Sequence, residues 1–413
     1  MSGETPRPSL FSPQNGKPGG SKTMTKIQRN HIDLATLVAV LTLMVLSLGV
    51  VYSASATWAY EKFGESNRLL NLHALKVLLG LIALFVGMTI DYRKYRKLTK
   101  TAVLLAIAFL AITLVLGGEV KGAARWLRFG GLSLQPSEFA KFALLFHLCT
   151  LISTKGETIR EFKKGFMPMM IWIGSVAGLV LLQPNFSTGS MIILISLVML
   201  FISRARFLHV FGTIGAALPL LVGVALSRPH VMQRLKSYID GTSGGGGQNY
   251  QLWQGIIGFG NGGLLGVGPG ESKQRDFFLP ESYGDFVFSV VGEEYGFLGT
   301  MFFLTLFLVI LLRGFKIAKF ARDEFGRLLA IGITSVITLY ALVNAGVTLG
   351  ILPTTGLPMP FVSYGGSSLL FTSFAVGALL NISAQTDLHP RAPKVPEGVA
   401  ALQPLEDKTV KVY

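Results

Sequence analysis

Ten apolar segments, each close to the ~20 residues that a helix needs to cross a bilayer, occupy most of the chain. Half of the 413 residues are hydrophobic and only 14% are charged, which excludes an ordinary soluble composition. The sequence therefore predicts an all-α integral membrane protein, a polytopic bundle of about ten transmembrane helices. The predicted spans are 33–54, 72–90, 101–117, 137–153, 167–182, 188–203, 208–227, 285–312, 327–350 and 366–384.

The positions of the 37 Lys and Arg residues indicate the orientation of these helices. Cytoplasmic loops carry an excess of such residues, and most of them become cytoplasmic here when both termini are placed inside, as in 93–100 and 313–327. The same placement accounts for the net charge of +15 without a nucleic-acid partner. The chain then divides into three regions. Residues 1–30 are a disordered cytoplasmic N-terminal tail, and residues 386–413 are a cytoplasmic C-terminal tail. Between them, residues 31–385 form a ten-helix membrane domain with a large outer loop, 228–284, between helices 7 and 8.

The cations that remain outside are concentrated in two loops, 118–136 and 228–284. The second loop ends in a segment rich in glycine and charge, which stops at Asp285 before an apolar run. An aspartate at this position is typical of a helix N-cap. It also suits a general base beside an anionic substrate, with Lys273 and Arg275 close in sequence. The sequence leaves both interpretations open.

Arg125 and Trp126 are adjacent in the first of these loops. A guanidinium matches the oxygens of a phosphate, and an indole ring prefers the depth of the lipid headgroups. The pair therefore indicates a phosphate site at the membrane surface, with simple interfacial anchoring as the alternative.

The predicted membrane helices contain several charged residues, among them Glu138, Lys141, Glu293 and Glu294. Charges at membrane depth are costly, so they are expected to face the interior of the bundle and to mark a functional site. Glu138 and Lys141 are three residues apart and can pair on one helix face. The structural alternative is an ion pair between Lys141 and one of the two later glutamates.

Other polar residues give weaker signals. Asn185 is interpreted as a turn residue, and His73 and Lys76 as interior partners or snorkelling groups. The two glycines after Tyr364 allow the backbone to approach a ligand or another helix closely. No metal, nucleotide or serine-hydrolase motif stands in a convincing context.

Taken together, these motifs resemble the SEDS family of bacterial cell-wall polymerases (shape, elongation, division and sporulation proteins). The resemblance extends over residues 33–384, and the motifs occur in the family's order. They are Lys121-Gly-Ala-Ala-Arg125-Trp126, Gln135-Pro-Ser-Glu138, Gln183-Pro184, Leu279-Pro-Glu281 with Asp285-Phe286, Gly292-Glu-Glu294 and Ser363-Tyr-Gly-Gly-Ser-Ser368.

The resemblance implies a peptidoglycan glycosyltransferase that polymerises lipid II into glycan strands and releases undecaprenyl diphosphate, with Asp285 as the catalytic residue. It implies a protein of the bacterial cytoplasmic membrane and a class B penicillin-binding protein as transpeptidase partner. Segment 266–274, Gly292-Glu-Glu294 and the long N-terminal tail resemble the division branch more than the elongation branch, which implies the septum and other divisome proteins. A polymerase of the elongation branch is the alternative within the family. The candidate substrate-binding residues are Lys121, Arg125, Trp126, Lys273, Gln274, Arg275, Glu281, Ser363 and Tyr364.

The chain departs from the family pattern at three places. Tyr283-Gly284 stands where the family usually has His-Thr, Asn185 where an aspartate is usual, and Ser187 where a glycine is usual. The first change removes a ligand or proton carrier beside Asp285. The sequence assigns no cofactor with certainty, and a divalent cation, Mg²⁺ or Mn²⁺, is a candidate that would help to neutralise the departing pyrophosphate.

One carboxylate is enough for this reaction, because a pyrophosphate is a good leaving group and needs no general acid. The base removes the proton of the acceptor hydroxyl, and cations such as Arg125, Lys273 and Arg275 neutralise the departing charge. Two other functions remain open from the sequence. One is a flippase for the lipid-linked precursor, with a hydrophilic path along the four intramembrane charges, and the other is a scaffold that recruits a partner enzyme.

Overall fold

The computed structural model describes residues 31–116, 118–120, 123–129, 132–239, 248–277, 279, 282–386 and 388. The two predicted terminal tails, 1–30 and 386–413, lie almost wholly outside these residues. The described chain is built almost entirely of helices. They are α1 (Leu34–Phe63), α2 (Arg68–Thr89), α3 (Tyr92–Leu116), α4 (Pro136–Lys155), α5 (Met167–Leu182), α6 (Phe186–Ile202), α7 (Phe207–Ser227), α8 (Pro229–Ile239), α9 (Gln248–Gly262), α10 (Lys273–Phe277), α11 (Val287–Lys319), α12 (Glu324–Thr348) and α13 (Gly366–Ser383).

Each of the ten predicted spans coincides with one helix, namely α1 to α7 and α11 to α13. Within the described residues, eight helices are both long and apolar enough to cross a bilayer. The other two are α4, which carries Glu138 and Lys141, and α6, which has only 17 residues. The fold is thus a multi-pass helical membrane protein, as predicted, whereas the count of ten spans stays a prediction.

The two segments predicted as outer loops contain regular structure. Segment 118–136 forms three short strands in the antiparallel order β1-β2-β3, namely β1 (Gly118–Val120), β2 (Ala123–Phe129) and β3 (Leu132–Leu134). The segment between α7 and α11 contains α8, α9 and α10. These elements place side chains over the end of the bundle more rigidly than an open loop would.

The described chain begins and ends at the same end of the bundle. The backbone N–H of Asp33, before α1, donates to Oγ of Ser383 at the end of α13, 3.0 Å away. Nε of Arg313, in the cation-rich part of α11, lies 2.9 Å from Oδ2 of the same aspartate. At this end Tyr92 also donates its backbone N–H to Asn381. The opposite end, which carries the β-strands and α8, is called the site end below.

The helices differ in how deeply they are buried. The apolar windows of α12 and α13 are 78% buried, so these two helices form the centre of the bundle, whereas that of α7 is only 6% buried. α2 packs tightly on α13 through Gly87 and Gly377, where any side chain would overlap the backbone of the opposite helix. Small residues allow such close approach between membrane helices.

α11 is kinked at Gly296, whose φ of 63° is accessible to glycine but not to most residues. The segment after α9 packs into this kink: the N–H of Phe297 donates to the carbonyl of Gly263 at 2.9 Å, and the N–H of Val267 to that of Glu293 at 3.0 Å. The kink separates the short first part of α11, at the site end, from the long remainder. Asp285 lies just before that short part.

Candidate active site

A cavity of about 590 Å³ opens at the site end. Its walls come from β2, the start of α4, the turn between α5 and α6, α8, the residues before α11 and the segment between α12 and α13. These elements are far apart in the sequence, and each contributes polar atoms. The cavity therefore has the character of a ligand site, in which a few polar groups converge within apolar walls.

Asp285 lines this cavity. The residue at the capping position of α11 is Phe286, so Asp285 is not the N-cap, and that interpretation is wrong. The Asp285 backbone is held in place by the buried Asn344. Nδ2 of Asn344 donates to the carbonyl of Asp285 at 2.7 Å and to the carbonyl of Leu357 at 2.8 Å. One amide thus joins the Asp285 segment to the segment between α12 and α13.

Gly356 allows that second segment to approach the carboxylate. It has a φ of 72°, and a methyl group added there would lie 3.2 Å from Oδ2 of Asp285 and 4.0 Å from Nη1 of Arg234. Arg234, in α8, also donates from Nη1 to the carbonyls of Thr354 at 3.5 Å and Thr355 at 3.3 Å. The Asp285 carboxylate and the Arg234 guanidinium therefore lie beside the same stretch of backbone, at Gly356.

Two arginines share the cavity, Arg125 from β2 and Arg234 from α8. Arg125 is held in place by the carbonyls of Gln183 and Pro184. Burial and then the positive charge of Arg234 lower the pKa of Arg125, while burial lowers the pKa of Arg234 and the charge of Asp285 opposes that shift. Because both side chains remain charged at physiological pH, the cavity presents two cations that repel each other, and a bound anion would relieve this repulsion.

Glu138 lines the inner wall of the cavity, and Lys141 lies behind it. Both are buried, Nζ of Lys141 lies 2.8 Å from Oε2 of Glu138, and the same ammonium stands 4.0 Å from the ring centroid of Tyr340. The predicted pairing within α4 is therefore present. The alternative ion pair of Lys141 with Glu293 or Glu294 is wrong.

The three residues of α10 that were predicted to bind substrate do not line the cavity. Lys273 is exposed. The Arg275 guanidinium turns toward α1 and α11, where it donates to the Ser53 carbonyl at 2.7 Å and pairs with the buried carboxylate of Glu294 at 3.4 Å. Proximity in sequence to Asp285 was misleading, because Arg275 contacts Ser53 of α1 and Glu294 of α11 instead.

Glu293 and Gln274 belong to the same distant cluster. The Glu293 carboxylate accepts from the backbone N–H of Gln274 at 3.2 Å, from Nδ2 of Asn261 at 3.3 Å and from the Ser272 hydroxyl. The two glutamates of α11 thus fix the segment that joins α9 to α10. They are separate from the Glu138–Lys141 pair, so the four charges form no single path across the bundle.

The remaining predicted residues are distributed differently. Trp126 and Tyr364 line the cavity, whereas the buried Ser363 accepts a hydrogen bond from the backbone N–H of Met359 at 2.8 Å and does not line it. Lys121 and Glu281 lie outside the described residues.

Two contributors to the site, Arg234 and Gly356, are not apparent from the sequence. Their only sequence signals are a cation in a predicted outer loop and a glycine between prolines. Asn185 and Ser187, the positions that depart from the family pattern, also line the cavity, and Ser187 donates to the carbonyl of Thr355 at 2.6 Å.

The charged groups do not form a metal-binding set. In the part of the chain that the structure describes, no three His, Cys, Asp or Glu side chains converge as ligands. Mg²⁺ often uses one or two carboxylates and takes its other oxygens from phosphates and water. A divalent cation here would therefore depend on the substrate for most of its ligands.

Comparison with known proteins gives consistent matches over most of the chain. The family described as cell cycle protein, which comprises FtsW, RodA and SpoVE, matches residues 34–388. The "Probable peptidoglycan glycosyltransferase FtsW" of Geobacter metallireducens is 38% identical over 86% of this chain and 95% of its own length. Stage V sporulation protein E of Bacillus subtilis is 39% identical over 85% of this chain and 96% of its own.

Solved structures agree. A chain from a peptidoglycan synthase complex that coordinates polymerization and crosslinking superposes with a TM-score of 0.70 at 28% identity, covering 85% of this chain and 97% of that one. The rod shape determining protein RodA of Thermus thermophilus gives a TM-score of 0.64 at 26% identity, covering 86% and 98%.

Proposed function

The chain belongs to the FtsW, RodA and SpoVE family, and we propose that it polymerises lipid II with Asp285 as the general base. It is a peptidoglycan glycosyltransferase of the FtsW type embedded in a membrane. The observation that carries the assignment of the base is the position of the Asp285 carboxylate in a cavity with two arginines. The cavity of about 590 Å³ admits a sugar with its phosphates.

The reaction needs one proton acceptor. The acceptor hydroxyl attacks the anomeric carbon of the donor sugar, and Asp285 takes the hydroxyl proton as the new carbon–oxygen bond forms. The bond from the anomeric carbon to the lipid pyrophosphate breaks, and the pyrophosphate keeps the electron pair. A positioned base of this kind contributes about 10²–10⁴-fold to the rate.

The departing pyrophosphate gathers negative charge, and Arg125 and Arg234 are placed to receive it. Both are fixed by backbone carbonyls before the substrate arrives, so little reorganisation is needed when the charge develops. Glu138 lines the inner wall of the cavity and is paired with Lys141 behind it. Lys273 and Arg275, the cations chosen from the sequence, are replaced in this role by Arg234.

The proposed orientation and location are supported by the distribution of charge and by the named relatives. The two ends of the described chain share one end of the bundle with the cation-rich stretches at 93–100 and 313–327, which supports cytoplasmic termini and an outward-facing site. Relatives named FtsW support a role at the division septum, with other divisome proteins as partners. The matching synthase complex, which couples polymerization to crosslinking, supports a class B penicillin-binding protein as transpeptidase partner.

The test compares glycan-strand synthesis from purified lipid II by the parent protein and its Asp285→Asn variant, each with and without a class B penicillin-binding protein. We expect polymer from the parent and none from the variant, with equal membrane insertion and thermal stability. Polymer from both proteins would remove Asp285 from the chemistry. No polymer from either folded, partnered protein, together with lipid II transfer across vesicles, would favour the flippase.

A further inference from the structure

A second cationic position lies beside the active site, within a membrane helix. Lys76 is in α2, eight residues or about 12 Å along the helix from its start at Arg68. Its ammonium stands 3.2 Å from the ring centroid of Tyr364, and among the described residues it has no carboxylate and no hydrogen-bond acceptor. A cation at membrane depth is costly, and an aromatic face compensates only part of that cost.

Lys76 ends a row of aromatic side chains. Tyr364 meets Tyr283 at 5.5 Å between ring centroids, and Tyr283 meets Trp58 of α1, also at 5.5 Å. At the other end, the Lys62 ammonium lies 4.5 Å from the Trp58 ring centroid. This aromatic row, Trp58, Tyr283 and Tyr364, therefore has one lysine at each end.

The aromatic row borders the segment that carries Asp285. The backbone N–H of Tyr364 donates to the carbonyl of Tyr283 at 3.0 Å, and Tyr283 lies two residues before the catalytic carboxylate. Tyr364 lines the cavity, whereas Lys76 does not. The Tyr364 ring therefore separates Lys76 from the cavity that holds Arg125 and Arg234.

The start of α13 adds to the positive potential at Lys76. The stem of Lys76 lies against Gly366, whose N-cap neighbour Gly365 makes no side-chain cap bond. Free N–H groups at the start of a helix attract anions. His73, one turn from Lys76, is fully buried and lies 5.7 Å from Tyr364 between ring centroids, and its Nδ1 has no partner in the described structure.

The bilayer side of Lys76 is apolar. Leu72, Leu75 and Leu79, which surround it on α2, are exposed in the described bundle and so face lipid. A ligand at Lys76 can thus keep its phosphate at the ammonium and its hydrocarbon chain along α2. This combination selects a lipid-borne phosphate over a soluble one.

We infer that Lys76, at the end of the aromatic row, binds the pyrophosphate headgroup of the second lipid-linked substrate. The inference rests on the proposed function, because a transferase that joins two lipid-linked sugars must hold two pyrophosphates. The arginine cavity holds the one that leaves, and Lys76 holds the one that stays attached. The Asp285 segment runs between these two anion sites, where the acceptor hydroxyl and the anomeric carbon must meet.

The test counts bound substrate without turnover. Full-length Asp285→Asn protein in phosphatidylcholine nanodiscs is titrated with fluorescent lipid II, alone and combined with Lys76→Met, Lys76→Arg or Lys97→Met. Lys97 is an exposed cation at the opposite end of the bundle and serves as the matched control. We expect two equivalents of bound lipid II per protein for Asp285→Asn and for its combinations with Lys76→Arg and Lys97→Met.

With Lys76→Met we expect the second equivalent to bind at least about tenfold more weakly, because a charge-assisted hydrogen bond is lost. Methionine removes a charge from the bilayer, so the protein should stay folded, and thermal unfolding checks this. Undiminished binding by Lys76→Met would overturn the inference, as would a single equivalent in every variant or displacement of the second equivalent by phosphatidylglycerol. Polymer formation by Asp285→Asn would instead refute the assignment of Asp285 as the general base. The number of bound lipid II molecules would still test the role of Lys76.

Discussion

Replacement of Arg234 by glutamine tests the cation that the structure brings to the site. The change removes a guanidinium that lies beside Asp285 across Gly356, and leaves an amide in its place. A hydrogen bond to a charged group contributes about 1.5–3 kcal/mol. If Arg234 makes one such bond to the departing pyrophosphate, kcat/KM falls by roughly 10- to 150-fold. Since that charge develops in the transition state, the loss should fall on kcat more than on KM.

The matched control is Lys273→Gln. Lys273 is nearer to Asp285 in sequence, but its side chain is exposed and does not line the cavity. An exposed charge contributes little, so we expect a change of no more than about twofold. Arg234→Lys keeps the charge but loses the planar guanidinium that reaches Thr354 and Thr355, and should fall in between.

The assay is the initial rate of glycan-strand formation from purified lipid II by the reconstituted protein with its transpeptidase partner. Equal losses in Arg234→Gln and Lys273→Gln would show that the reaction responds to overall positive charge and not to the cavity. A normal rate in Arg234→Gln would refute the assignment of the pyrophosphate to this arginine.

Three further changes test how the site is held. Gly356→Ala places a methyl group 3.2 Å from Oδ2 of Asp285 at a φ of 72°. The resulting strain of ~1–2 kcal/mol should slow polymerisation by roughly 5- to 30-fold, and an unchanged rate would contradict the close approach. Glu294→Gln leaves the Arg275 cation without its buried counter-charge and should lower the free energy of unfolding by about 3–5 kcal/mol. We expect a lower midpoint of thermal unfolding in detergent, and an unshifted midpoint would count against the ion pair. Asn344→Ala leaves two buried carbonyls without their donor at a cost of ~1–3 kcal/mol, and should reduce both stability and polymerisation rate; loss of neither would show that the amide does not hold Asp285.

The helices were predictable because they depend on local properties of the sequence. A long apolar run has few alternatives in a bilayer, and each predicted span coincides with a helix to within a few residues at most ends. The β-strands at 118–134 were missed because short strands depend on pairing with one another and leave little periodicity in the sequence. The helix α9 was missed for a similar reason, since polar and apolar residues alternate irregularly along it.

The site was only partly predictable because the sequence gives residue types and not the direction in which side chains point. Asp285, Arg125 and Trp126 were identified by their chemistry, and all three line the cavity. Arg275 was assigned to the same site from its nearness in sequence, yet its partner Ser53 is 222 residues away. No local pattern records such a contact.

A cation on the outer side of the membrane indicates a specific role once the groups that contact it are known. A cation on the outer face of a membrane protein is disfavoured by the positive-inside bias, so each one at the site end needs a reason to be there. Arg275 has one in the buried carboxylate of Glu294, which makes it part of the scaffold. Arg125 is held by backbone carbonyls, and Arg234 lies beside the carboxylate of Asp285. The other carboxylate of the cavity, that of Glu138, is already paired with Lys141, so the combined positive charge of the two arginines exceeds what the cavity neutralises. An excess of fixed positive charge around one base is what a reaction that expels pyrophosphate requires, and it would hinder a scaffold that has no anion to bind.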